Sequence, residues 1–65
     1  MIPLPEFVHR LRQRLDAGIA EISGELISGA AETLEDYRLA TGRIRGLSDA
    51  REAIDELVKQ VNEGG

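Results

Sequence analysis

The stretch "LATGRIRGLSDA", Leu39 to Ala50, decides the fold. Read as one helix, it joins the helical sequence on either side and the chain is a hairpin of two helices. Read as a break, with Gly46 ending one helix and Ser48 capping the next through "SDARE", it makes three. The break has cap preferences in its favour. Two glycines one turn apart, Gly42 and Gly46, each cost a helix interior roughly 1 kcal/mol against alanine. Against the break stands the apolar register. Tyr37, Ala40, Ile44, Leu47, Ile54, Val58 and Val61 advance in steps of 3 and 4, interrupted only at Arg51, with no phase shift across Gly46. That pattern is a heptad seam, and it predicts one continuous helix over about 33–62.

The start of this helix is marked by "TLED". Thr33 takes the N-cap and Asp36 follows at capping-box spacing, while Glu35 and Asp36 suit the positive end of the helix dipole. "NEGG" ends it. Upstream, Val8, Leu11, Leu15, Ile19, Ile22 and Leu26 are spaced 3, 4, 4, 3 and 4 apart, the period of a first amphipathic helix over about 5–28. Pro5 fits its first turn, and Gly29 can close it with a left-handed cap. Gly18 and Gly24 weaken it from within. The fold expected is all-α, an antiparallel two-helix hairpin forming one small domain over 1–65. Its arm, 1–4, is expected to be extended, either docking Ile2, Leu4 and Phe7 on a neighbour or standing as a frayed end. The hairpin core comprises Val8, Leu11, Leu15, Ile19, Ile22, Leu26, Tyr37, Ile44, Leu47, Ile54, Val58 and Val61.

Charge supports an antiparallel arrangement. Arg10 with Arg14, Glu21 with Glu25, and Glu52 with Glu56 are like-charged i,i+4 pairs, which mildly destabilise isolated helices. A hairpin turning near Ala30 sets Arg10 and Arg14 level with Asp49 and Glu52, and Glu21 and Glu25 level with Arg38. The same match can form between two chains.

The two glycines acquire a role on the helical wheel. At about 100° per residue, Gly42 and Gly46 fall opposite Ile44. Leu39, Ala53 and Leu57 share that sector, with Ala50 at its edge. Leu39, Gly42, Gly46, Ala50, Ala53 and Leu57 thus form a second apolar stripe, of small residues between two leucines. Small residues one turn apart admit a close backbone, so this stripe is the expected interaction face. The plainer reading is that glycine is tolerated there or kinks an exposed helix.

Composition sets the remaining bounds. With 65 residues the chain is marginal as a free domain, and such chains rely on a staple or a partner. It has no cysteine and one histidine, His9, so no disulfide, thiolate site or intrachain zinc site is expected. Twelve acidic against eight basic residues give a net charge of −4, which weighs against a dedicated nucleic-acid binder. No apolar run approaches a membrane span. The N-terminus has no basic stretch before its apolar residues, so a soluble, cytosolic protein without a secretory signal is expected. The carboxylates lie on helix faces with no base or nucleophile set beside them, and acid–base catalysis needs an enclosed pocket. An enzyme is therefore the least favoured class, and no cofactor is expected. Arg38, Arg43 and Arg45 can fork onto phosphate or acidic protein, or pair with neighbouring acids on a solvated face.

The run "YRLATGRIRGLSDAREAIDEL", Tyr37 to Leu57, resembles short helical proteins from the head and packaging gene clusters of tailed bacteriophages. Tyr37, Gly42, Arg43, Ile44, Gly46, Leu47, Ala50, Ile54 and Asp55 carry the resemblance, which covers about a third of the chain. It implies a minor virion or head-assembly component, assembled in the host cytoplasm and docked on a larger capsid, portal or tail protein or on copies of itself. It supplies no catalytic residue. The alternative from a different class is a helical-hairpin regulator that dimerises and binds RNA or a protein target. For RNA it needs Arg10, Arg14, Arg38, Arg43 and Arg45 gathered on one face.

Overall fold

A computed structural model describes residues 2–64. Helix α1 spans Leu4–Ile27, 24 residues, and helix α2 spans Leu34–Gly64, 31 residues. Helix α2 runs unbroken through Gly42, Gly46 and Ser48. The helices are antiparallel: Arg12 lies against Asp55 and Asp16 against Arg51, so numbers rise along one helix as they fall along the other. The molecule measures 48 × 22 × 15 Å.

Each end of the connection is fastened by backbone chemistry. Ser28 is the C-cap of α1, and Gly29 follows at φ +85°. The Gly29 N–H donates to Leu26 C=O at 3.2 Å and the Ala30 N–H to Glu25 C=O at 3.0 Å. This pair of bonds is a Schellman motif, which satisfies carbonyls the helix end would leave bare. At the start of α2 the Asp36 N–H donates to Thr33 Oγ1 at 3.0 Å, the expected N-cap bond. Helix α1 starts one residue earlier than its expected start at Pro5. Pro3 is its N-cap, Pro5 lies in the first turn, and the Phe7 N–H bonds to Pro3 C=O at 3.0 Å. The extended arm therefore contracts to Ile2 and Pro3, with Leu4 and Phe7 on the helix. Met1 lies outside the described residues.

Val8, Leu11, Leu15, Ile19 and Leu26 of α1 and Ala40, Ile44, Leu47, Ile54 and Val58 of α2 are half-buried along the seam, and Ile22 is buried at 4% exposure. Tyr37 and Val61, expected in the core, are 52% and 68% exposed. A straight helix drifts against a seven-residue repeat, and about 100° per residue leaves Tyr37 and Val61 about 120° apart around α2. In this register, moreover, Tyr37 lies level with the turn and Val61 with the first turn of α1. Near the start of α2 the half-buried positions are Ala40 and Thr41.

Gly18 has a use the spacing did not reveal. A Cβ there would stand 3.1 Å from Leu47 Cδ1, so the missing side chain admits Leu47 into the seam. Gly24 has nothing within 4 Å of the same position.

Gly24→Ala should therefore stabilise the hairpin by up to about 1 kcal/mol through helix propensity. Gly29→Ala should destabilise it by about 1–2 kcal/mol, because a Cβ is strained in the left-handed region. Urea unfolding of the two variants at one protein concentration checks the opposite signs. Equal midpoints would contradict the Schellman turn.

Candidate interaction surface

The polar contacts between the helices come from two arginines at the seam. Arg51 interrupts the apolar heptad, yet it is half-buried between Leu47 and Ile54. Its Nη1 donates to Asp16 Oδ1 at 2.6 Å. Arg12 is half-buried on α1, and its Nε lies 2.6 Å from Asp55 Oδ1. That contact is an ion pair without an aligned hydrogen bond, and the buried Nε of Arg51 also has no hydrogen-bond partner. Both side chains bury their stems and their Nε atoms, while the rest of each side chain stays partly exposed. Arg12–Asp16 and Arg51–Asp55 repeat one spacing on each helix, so two crossed pairs form a four-residue charge lattice.

This lattice replaces the pairing expected from the sequence. Arg10 binds Glu6 on its own helix at 3.1 Å rather than Asp49 or Glu52. Among the described residues, Arg14, Arg38, Arg43, Arg45, Glu21, Glu25, Asp49, Glu52 and Glu56 form no ion pair.

Three parts of the exposed apolar surface are concave or continuous enough to seat a neighbour. At the open end, Leu4, Pro5 and Val8 face Leu57, Val58 and Val61 across a cleft of about 320 Å³, with Arg12 and Asn62 at its edge. At the turn, Leu26, Ala30 and Ala31 meet Leu39 and Ala40 in a hollow of about 160 Å³, bordered by Glu25, Asp36 and Arg43. Between them runs the outer face of α2. All six residues of the expected face are exposed, Leu39 at 65% and Leu57 at 59%. Nothing lies within 4 Å of a Cβ placed at Gly42 or Gly46. The two leucines thus mark the ends of the stripe and also line the two hollows. Ile2, Leu4 and Phe7, the expected docking residues, are exposed as well.

His9 faces solvent. Among the described residues no three His, Cys, Asp or Glu side chains gather as a metal site, and no helix is long and apolar enough to cross a membrane. Glu52, Asp55, Glu56 and Lys59 border a shallow groove open to water.

The chain matches no protein-family model, curated protein or solved structure.

The two lattice pairs are about half exposed, so each should contribute no more than about 1 kcal/mol. A double-mutant cycle on Asp16→Ala and Arg51→Ala should give a coupling of about 0.5 kcal/mol that shrinks in 1 M salt. A coupling of zero at low salt would remove the pair from the forces that set the register.

Proposed function

We propose that this chain is a structural interaction component that docks its exposed helix faces on a partner, and that in its specific form it is a minor bacteriophage virion or head-assembly protein. The interaction role is supported by one observation above all. The hairpin exposes 5327 Å², against roughly 4,100 Å² for a compact monomer of its mass. The excess, roughly 1,200 Å², exceeds the share one partner contributes to a standard protein interface. The radius of gyration agrees, at 15.0 Å against about 11 Å for a compact chain of this length. Two helices form one layer contact, and a second layer is what such an architecture lacks.

The phage assignment draws support from the Tyr37–Leu57 resemblance. Several residues in that run stand on the outer side of α2: Gly42, Arg43, Gly46 and Ala50 are all exposed. The shared positions thus divide between the seam, at Ile44, Leu47 and Ile54, and the outer side, where something outside the hairpin can reach them. A larger capsid, portal or tail protein fits this reading, as does assembly with further copies.

The purified chain should be either a loosely folded monomer with a broad thermal transition or an oligomer whose midpoint rises with protein concentration, because association contributes to its stability. A proven monomer with a sharp midpoint independent of concentration would overturn the interaction role. In a gel-shift titration, RNA and duplex DNA should bind negligibly near physiological salt. Submicromolar binding that weakens steeply with salt would favour the RNA-binding regulator instead.

A further inference from the structure

We infer that the partner of the outer α2 face is the same face of a second copy, turned antiparallel about a point near Ser48. This rests on the interaction role proposed above and names its partner. The first support is the distribution of charge left over after the hairpin has formed. Arg51 and Asp55 are engaged with α1. From Arg38 to Glu56, the charges of α2 that remain unpaired are divided by sign along the helix. Arg38, Arg43 and Arg45 come first, and Asp49, Glu52 and Glu56 follow.

On a wheel of about 100° per residue, Arg38, Arg45, Asp49, Glu52 and Glu56 share one flank of the stripe. In a parallel copy this flank would meet the opposite one, which between Arg38 and Glu56 carries Arg43 as its one unpaired charge, so the acids would find no partner. An antiparallel copy turned about Ser48 brings Arg45 near Asp49 and Glu52 of the second copy and Arg38 near its Glu56; the two Asp49 carboxylates, next to the axis, approach each other but lie between the two Arg45 side chains. Because the operation is two-fold, each arginine contact occurs twice.

Shape agrees with charge. The same rotation carries Leu39 onto Leu57 of the second copy and Gly46 onto its Ala50. Bulky side chains meet at the two ends, and the backbones approach where nothing stands within 4 Å of a Cβ at Gly42 or Gly46. The product is a four-helix assembly with the two α2 helices at its centre.

The test is a charge swap on the full chain, read by sedimentation at about 100 µM, with circular dichroism to verify helix. Native chain should be a dimer. Arg45→Glu alone sets two carboxylates together twice, and Glu52→Arg alone sets two guanidinium groups together twice. Each variant should remain helical and dimerise on the order of tenfold more weakly. An equimolar mixture of the two should recover the native dimer, because both of its contacts are then attractive. Gly46→Leu, which meets nothing within its own hairpin, should also lose the dimer while remaining helical.

A native chain that is monomeric at this concentration overturns the self-pairing. The interaction role survives that result if the monomer is loosely folded, with a broad thermal transition, and fails with it if the monomer unfolds sharply at a midpoint independent of concentration. A native dimer unaffected by both charge reversals and by Gly46→Leu overturns this face and register.

Discussion

Everything in this molecule follows from the fact that two helices share one line of contact. A helix pair can cover a stripe of each member but cannot enclose it, because no third element closes the flanks. Side chains along the seam therefore stop at half-burial, and among the described residues Ile22 alone passes below the surface. Apolar burial stabilises roughly in proportion to the area removed from water, so a seam of half-covered residues yields much less than the same residues in a closed core. The ordering cost of the backbone is not reduced in the same proportion.

The shortage explains why local devices are prominent. The Schellman bonds at Gly29 and Ala30 and the Thr33 cap fix the turn without calling on any core. The crossed pairs of Arg12 with Asp55 and Arg51 with Asp16 contribute little energy while exposed. Their effect is on register, since a slip by one residue would part both pairs at once. Gly18 acts in the same direction. It lets Leu47 sit deeper than a larger residue would permit, which recovers some packing along a thin interface.

Two kinds of helical glycine are thus present. Gly18 faces the seam and is occupied by a neighbour's side chain. Gly42 and Gly46 face outward and meet nothing within the chain. The helix bears their cost without any return from its own hairpin, so any compensation lies in what the outer face touches. This difference connects the packing of the fold to the proposed role of its surface.

The sequence by itself determined the two helices, the antiparallel hairpin and the turn. Hydrophobic period, cap residues and a glycine at the C′ position act over a few residues, so they are legible without any tertiary contact. The unbroken course of α2 through Gly46 was legible for the same reason, as was the outward stripe from Leu39 to Leu57. Tertiary structure decided the rest. Whether Arg51 ends the seam or spans it depends on Asp16, 35 residues away. Whether Gly18 is a weakness or a socket depends on Leu47. The exposure of Tyr37 and Val61 depends on helix drift and on where the opposing helix ends. Periodicity gives the direction in which a residue points; only the second helix determines whether anything is there to meet it.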